Sequence, residues 1–280
     1  MRVGVASARA TRIRMGAGAL LVLAYLFPVY WMLATSLKQS GDIFAVPPEV
    51  VPSPVDATSY ADAVAGNDYL LRAILNSSII AGGTVALTLL LAAPAAYALA
   101  RRRLRLTLAI TLLLLLAQVL PTINLALPLF LIFSRLELVD TYAGLIIANT
   151  TLTVPLAIVI LRPFFLSIPA ELVDAARVDG CTQLSAFRRI VLPLARPGLV
   201  TVGALTFVAA WGEFVFGLTL ATTDDMHPVT VALNQFTGQF GTRWNDLMAV
   251  SAVVAAPVIV LFAALQRHVI GGLTAGATKG

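Results

Sequence analysis

Residues 73–105 read AILNSSIIAGGTVALTLLLAAPAAYALARRRLR and decide what kind of fold this chain has. The stretch from Ala73 to Ala100 contains no charged residue, whereas four of the next five residues are arginine. A helix needs about 20 predominantly apolar residues to cross the roughly 30 Å hydrocarbon layer of a bilayer. Because cytoplasmic loops are enriched in Lys and Arg, the stretch predicts a transmembrane helix whose C-terminal end faces the cytoplasm.

Five further apolar segments accompany this one and predict an all-α membrane protein. The six predicted spans run from about Met15 to Leu37, Ala73 to Ala100, Leu106 to Ser134, Ala143 to Phe165, Gly198 to Leu220 and Leu247 to Leu265. The third span carries Pro121 and Pro128 and is expected to be kinked. The first follows four arginines, as a signal peptide would, but its apolar run is longer than such peptides have, so we expect it to persist as a span.

The composition excludes other broad classes of protein. Of the 280 residues, 59% are hydrophobic and 12% are charged, and the mean hydropathy is +0.90. Soluble domains carry about 25% charged residues, and disordered chains have low hydrophobicity. No Gly-Lys dipeptide occurs, which excludes a Walker A phosphate loop. With one cysteine, Cys181, and two distant histidines, we expect no metal site and no catalytic residues.

The charges predict the topology. Placing the N-terminus in the cytoplasm puts 15 of the 19 Lys and Arg residues on the inner side. Both termini are then cytoplasmic: residues 1–14 form the N-terminal segment, residues 15–265 the six-span domain and residues 266–280 a tail. The basic residues are interpreted as topological anchors and not as a nucleic-acid surface.

The segment 167–197, between spans four and five, is the most informative cytoplasmic stretch. Ser167 is expected to cap a helix that runs through Val178, and Gly180 then permits a left-handed turn. A second helix is expected from about Gln183 to Val191, ended by the prolines at positions 193 and 197. Its apolar residues at helical spacing are Leu184, Phe187 and Ile190 or Val191. This ridge packs either on the membrane and the chain's own helices or in a cytosolic partner.

The same segment resembles a known motif. Asp174-Ala175-Ala176, then Gly180 after three residues and Ile190-Val191-Leu192-Pro193 after nine more, is similar to the EAA motif of ABC importer permeases. Asp174 stands where that family usually has Glu. Trp211-Gly212-Glu213-Phe214, with Gly212 for the usual Asn, and the C-terminal GGLTAGATKG also resemble carbohydrate permeases, of the second-subunit kind in maltose- and glycerol-phosphate-type systems.

The resemblance implies the fold of a type I ABC importer and a permease subunit for a sugar or sugar-like solute in the bacterial cytoplasmic membrane. It implies three kinds of protein partner: a second permease, two copies of an ATPase that use ATP and Mg, and an extracytoplasmic sugar-binding protein. The residues it assigns to ATPase coupling are Glu171, Asp174, Ala175, Ala176, Asp179, Gly180, Leu184, Phe187, Ile190, Leu192 and Pro193.

Other polar residues are candidates for transport roles. Glu213, Asn124 and Asn149 lie within predicted spans, where polar groups line a pathway or pair helices. By position, Asn234, Gln235, Phe236 and Gln239 in the third outer segment are candidates for contact with the binding protein. The Pro-rich first outer segment, from Lys38 to Arg72, is either a passive loop or a surface for an extracytoplasmic partner.

Two alternative functions remain open from the sequence. An ion-coupled secondary transporter would show inverted repeats and ionisable groups within the spans, for which Glu213 is the candidate. A membrane enzyme needs acids, histidines or metal ligands clustered near one face, whereas the carboxylates of this chain are scattered through the outer segments.

Overall fold

The computed structural model describes residues 8–101, 106–238 and 241–277, which form two compact units. One unit comprises residues 1–68 and 235–255, and the other comprises residues 69–234 and 256–280. The helices in chain order are α1 (Ala8–Ser36), a π-helix (Tyr60–Ala65), α2 (Asp68–Arg101), α3 (Thr107–Ala117), α4 (Thr122–Arg135), α5 (Tyr142–Leu166), α6 (Ala170–Val178), α7 (Gln183–Ala186), a π-helix (Phe187–Val191), α8 (Leu192–Leu194), α9 (Arg196–Trp211), α10 (Val215–Leu220), a 3₁₀ turn (Asp224–Met226), α11 (Val229–Asn234) and α12 (Trp244–Ala277). The strands β1 (Thr237–Gly238) and β2 (Gly241–Thr242) form a short antiparallel hairpin.

Among the described residues, four helices are long and apolar enough to cross a membrane by themselves. They lie in α1, α2, α5 and α12. Two bent pairs also qualify if each pair counts as one span: α3 with α4, bent by 91°, and Gln183–Leu194 with α9, bent by 76°. The six-span count and the cytoplasmic termini therefore remain predictions.

The kink predicted in the third span is a complete break between α3 and α4. Pro121 lies at this break with extended backbone angles, φ −61° and ψ 131°. Proline disfavours helical geometry in the residue before it, so the helix cannot continue through Leu120 into α4. The helix α4, in contrast, continues through Pro128, so the break in this span lies at the first of its two prolines.

The fifth predicted span is also interrupted. We expected one helix from Gly198 to Leu220, but α9 ends at Trp211 and α10 begins at Val215. Glu213 lies in the gap, and its carboxylate accepts hydrogen bonds from the backbone N–H groups of Phe216 at 3.0 Å and Gly217 at 3.2 Å. The first N–H groups of a helix have no intrahelical partners, so the Glu213 carboxylate caps α10.

The core of the larger unit lies where α2, α5 and α9 meet. Small side chains, including Ala92, Ala96 and Ala157, are almost fully buried there and let the helix backbones approach closely. A buried hydrogen bond of 2.6 Å between the hydroxyl groups of Thr88 and Thr153 joins α2 to α5. This packing provides the rigid support on which the polar segments at the two ends of the unit rest.

Contacts within this unit join predicted outer segments to one another and predicted inner segments to one another. At the predicted outer end, the buried amide of Asn76 donates to the carbonyl oxygens of Asp225 and His227 and accepts from the Tyr142 hydroxyl. At the predicted inner end, the Arg101 guanidinium donates to the carbonyl oxygen of Ile168 at 2.8 Å. These contacts agree with the alternating direction of successive spans.

Asp140 connects two of the predicted outer segments. Its carboxylate accepts hydrogen bonds from the backbone N–H groups and the hydroxyl groups of both Thr222 and Thr223. Burial acts to raise the pKa of Asp140, but these hydrogen bonds outweigh it and hold the pKa below its ordinary value. The charged carboxylate therefore stabilises the connection between residue 140 and the end of α10.

We expect Asp140→Asn to lower the thermal stability of the protein at neutral pH and to have less effect in acid. A carboxyl group with a depressed folded-state pKa stabilises fully above its unfolded pKa, about 3.9, and this contribution is lost as the pH falls through the lower folded value. Asparagine tolerates the positive φ of 57° at this position, so the substitution isolates the charge. Thermal unfolding at pH 7 and pH 3.5 measures the effect, with Asp68→Asn as control. An equal destabilisation at both pH values would contradict the assignment.

Candidate functional site

The segment predicted to be a cytoplasmic helix–turn–helix adopts that structure. Its first helix, α6, spans Ala170–Val178, with Glu171 in the first turn and Arg177 in the last, where each complements the helix dipole. We had expected Ser167 to cap this helix, but it does not. Its hydroxyl donates to the carbonyl oxygen of Phe164 at the end of α5, and Pro169 occupies the N-cap position of α6. The helix start is thus set by the fixed backbone of proline and not by a side-chain cap.

The turn after α6 is a Schellman motif. The N–H of Gly180 donates to the carbonyl oxygen of Arg177 at 3.1 Å, and the N–H of Cys181 donates to that of Ala176 at 2.9 Å. Gly180 has a φ of +86°, as predicted, and a Cβ atom placed on it would meet nothing within 4 Å. The requirement for glycine here is therefore conformational and not steric. The Cys181 thiol is free and partly exposed.

The second helix begins as predicted but ends later. The Thr182 hydroxyl caps it by accepting from the Ser185 N–H at 3.2 Å, and helical structure then continues through a π-helix to Leu194. Pro193 was expected to end this helix, but it lies in the first turn of α8, where a missing N–H costs little. The chain then turns at Ala195 by 76° into α9.

The apolar ridge predicted on the second helix is divided between interior and surface. Val191 is fully buried, and the Phe187 ring lies 5.1 Å from the Tyr97 ring and 6.3 Å from the Phe165 ring. Phe187 is therefore partly buried and packs against the protein's own core, and its assignment to ATPase coupling stays a prediction. Leu184 remains 57% exposed. Part of the ridge thus packs on the chain's own helices, while Leu184 is exposed and its docking into a partner stays a prediction.

The surface of this helix–turn–helix, which we call the coupling surface, exposes apolar and acidic side chains side by side. Its apolar members Leu172, Val178 and Leu184 are exposed, Val178 by 88%. The sequence analysis missed Val178, although its position as the last residue of α6, directly before the turn, could have indicated it. Its exposed polar members include Glu171, Asp174 and Asp179.

The Asp174 carboxylate is available to a partner. It makes no hydrogen bond or ion pair with the residues that the structure describes, and it lines an open concavity of about 510 Å³ together with Arg177, Val178 and Cys181. The turn is held by backbone hydrogen bonds, so this carboxylate is not needed to orient it. Ala175 is exposed beside it, whereas Ala176 faces the interior.

We expect Phe187→Ala and Leu184→Ala to have different effects. Removing the Phe187 ring leaves a cavity against Tyr97 and Phe165 and should destabilise the protein by about 2–3 kcal/mol. Leu184→Ala removes an exposed side chain and should leave thermal stability unchanged. Thermal unfolding of both variants measures this difference. An equal loss of stability would contradict the conclusion that Phe187 packs inside while Leu184 lies at the surface.

The three polar residues predicted within the spans have separate structural settings. Asn149 is buried, and its amide donates to the carbonyl oxygen of Leu145 one turn earlier in its own helix. Asn124 is exposed on α4. Glu213 caps α10, so its carboxylate has hydrogen-bond partners within its own chain.

The candidates for contact with a binding protein are also unequal. Gln235 is exposed, whereas Phe236 is only 6% exposed, with the Arg243 guanidinium 5.5 Å from its ring centroid. Phe236 is therefore buried against its own unit, and its assignment as a contact residue stays a prediction. Asn234 ends α11, in the other unit. Gln239 lies outside the described residues, as do Arg102, Arg103, Arg105 and the last three residues of the tail.

Comparisons with known proteins agree with this arrangement. Residues 88–274 match the family model described as binding-protein-dependent transport system inner membrane component. The chain belongs to this family. It is a transporter permease subunit and not an enzyme, and among the described residues no group of three or more His, Cys, Asp and Glu could hold a metal ion.

Relatives of this permease cover nearly its whole length. It is 35% identical over 96% of the chain to the sulfoquinovosyl glycerol transport system permease of Agrobacterium fabrum, of which 94% is covered. It is 38% identical over 93% of the chain to the trehalose transport system permease of Mycobacterium tuberculosis, of which 95% is covered.

A solved structure shares the fold. One chain of a bacterial ABC transporter involved in the import of the acidic polysaccharide alginate superposes with a TM-score of 0.78 at 21% identity, covering 94% of this permease and 99% of that chain. The predicted all-α membrane protein with the fold of an ABC importer permease is thereby confirmed.

Proposed function

We propose that this permease forms one half of the translocation pathway of an ATP-driven sugar importer in the bacterial cytoplasmic membrane. A second, homologous permease forms the other half. Relatives at 35% and 38% identity are named as permeases of transport systems for sulfoquinovosyl glycerol and for trehalose, which supports a sugar or sugar-like solute. An extracytoplasmic binding protein delivers this solute to the outer face.

The coupling surface is the observation that carries this function. It presents a glycine-dependent turn, exposed apolar side chains and an unpaired carboxylate on one rigid element. Such a combination suits docking into a cytosolic protein better than burial in the bilayer, because the hydrocarbon layer offers no partner for the Asp174 carboxylate. We assign this partner as an ATPase, two copies of which bind ATP and Mg, since the permease sequence has no phosphate loop.

Closure of the two ATPases then moves the coupling elements and switches the permease pair between inward-facing and outward-facing states. The rigid connection from α6 through the π-helix to α9 transmits this movement. Phe187 supports the element by its packing on α2 and α5, while Asp174, Val178 and Leu184 meet the ATPase. Residues 1–14 precede the six-span domain in the sequence and residues 266–280 follow it, and both segments lie in the cytoplasm.

Reconstitution tests this function. We expect uptake of a neutral sugar such as trehalose or maltose into vesicles only when both permeases, the ATPase, ATP and the binding protein are present. We also expect the purified permease pair to co-isolate with the ATPase. Sugar uptake by this permease alone, driven by an ion gradient, would instead establish the secondary transporter.

A further inference from the structure

We propose that this permease carries its own external binding site for a neutral saccharide, in a cleft of the smaller unit. The cleft has a volume of about 410 Å³ and is lined by two stretches that the charge distribution places outside the membrane, 40–62 and 242–246. Both stretches belong to the same unit. The volume falls in the range of about 300–1,000 Å³ that is typical of small-molecule sites. The inference rests on the proposed sugar import.

Aromatic surface is available at the cleft. Trp244 and Phe44 line it and pack edge to face, with ring centroids 6.5 Å apart and an interplanar angle of 84°. Nevertheless, Trp244 remains 39% exposed and Phe44 73% exposed. The face of an aromatic ring carries negative charge density, which attracts the slightly positive C–H groups on one face of a sugar ring. A large exposed aromatic pair beside polar groups therefore favours a ligand with one apolar face and many hydroxyl groups.

Hydrogen-bonding groups for such hydroxyls surround the aromatic pair. The Asn245 amide donates to the Ser40 hydroxyl oxygen at 3.1 Å, which leaves the Asn245 carbonyl oxygen as an acceptor and the Ser40 proton as a donor. The Asp62 carboxylate and the Trp244 indole N–H make no hydrogen bond with the residues that the structure describes. The cleft thus offers two acceptors and two donors within one small volume.

The charges of the cleft favour a neutral saccharide over an acidic one. Arg243 is paired with Asp246 at 3.0 Å, so the two charges compensate each other. Asp62 is then the remaining charge among the lining residues, and it is negative. A carboxylate, sulfonate or phosphate on the sugar would be repelled, whereas a hydroxyl group donates to Asp62.

The position of the cleft gives the site a role in transport. Its second lining stretch begins at Thr242, the last residue of the β-hairpin formed by β1 and β2. This hairpin belongs to the outer segment that we proposed to contact the binding protein. A saccharide leaving that protein would meet Trp244 and Asp62 directly at the base of the hairpin, before it enters the pathway.

Saturation-transfer difference NMR tests the site. The assembly of both permeases and the ATPase is embedded in nanodiscs without the binding protein, with trehalose and maltose as neutral probes and glucuronate as the acidic one. We expect weak binding of the neutral probes, lowered at least about fivefold by Trp244→Ala. Asp62→Asn should reduce the preference for neutral probes over glucuronate, whereas Asp68→Asn, an exposed carboxylate outside the cleft, should change neither.

Two results would overturn the site. One is sugar uptake by the complete importer without any probe signal that depends on Trp244 or Asp62. The other is a signal that these variants leave unchanged while they weaken binding-protein affinity, which would make the cleft a docking surface. The proposed function is tested separately, by the uptake assay with the complete wild-type importer. That assay uses none of the cleft variants, so the two proposals can fail independently.

Discussion

Gly180→Val is expected to abolish ATP-driven uptake while leaving the helices of the permease folded. The φ of +86° lies in a region that β-branched residues rarely adopt, and left-handed geometry costs an ordinary residue about 1–2 kcal/mol. The turn would relax to another conformation and lose the hydrogen bonds that join Gly180 and Cys181 to α6. Movement of the ATPase would then no longer reach α9. When both are measured in the same vesicles, ATP hydrolysis should continue while sugar uptake is lost.

Two controls make this result specific. Gly180→Asn should retain much of the uptake, because asparagine tolerates left-handed geometry better than other side chains do. Gly18→Val, in α1, also places a side chain in open space, but the backbone φ of Gly18 is not in the left-handed region, so uptake should persist. Normal uptake by the Gly180→Val permease would show that the turn does not couple ATP hydrolysis to transport.

Val178→Asp should weaken binding of the ATPase by about 30-fold. Val178 is 88% exposed, so the substitution does not disturb the core. At the interface, however, the new carboxylate would lose its water without a partner of opposite charge. Truncation of a central interface residue costs about 2 kcal/mol or more, which corresponds to the stated factor. Binding of the ATPase to the permease pair in nanodiscs measures the effect.

The matched control is Val46→Asp. Val46 is 94% exposed, in the first predicted outer segment, and should tolerate the same change without effect on the ATPase. Val178→Leu should also bind normally, because it keeps the apolar surface. If the Val178→Asp permease binds the ATPase as the wild type does, Val178 is not part of the surface that contacts the ATPase.

Local structure at the coupling surface could be predicted because its signals are local. The end of α6 at Val178, the left-handed Gly180 and the start of the second helix at Gln183 each follow from residues within one turn of the chain. The end of the second helix could not be predicted in this way. Pro193 is accommodated because it lies in the first turn of α8, directly after a π-helix that no sequence pattern had indicated.

Burial was the other property that the sequence could not supply. Phe187 and Leu184 lie on the same predicted ridge, but contacts with the rings of Tyr97 and Phe165 partly bury Phe187. Phe236 is likewise hidden, although its neighbours in sequence are polar. The break at Glu213 was missed because an apolar run with one carboxylate has the same composition whether its helix is continuous or interrupted.

The turn of the coupling surface also offers a way to observe the transporter at work. Cys181, the single cysteine of the chain, directly follows Gly180, and its thiol is free and partly exposed. A fluorophore or spin label attached there would need no other cysteine of this permease to be removed. Distances from such a label to one on the ATPase would follow the turn through each cycle of ATP hydrolysis, in a chain that otherwise keeps its natural sequence.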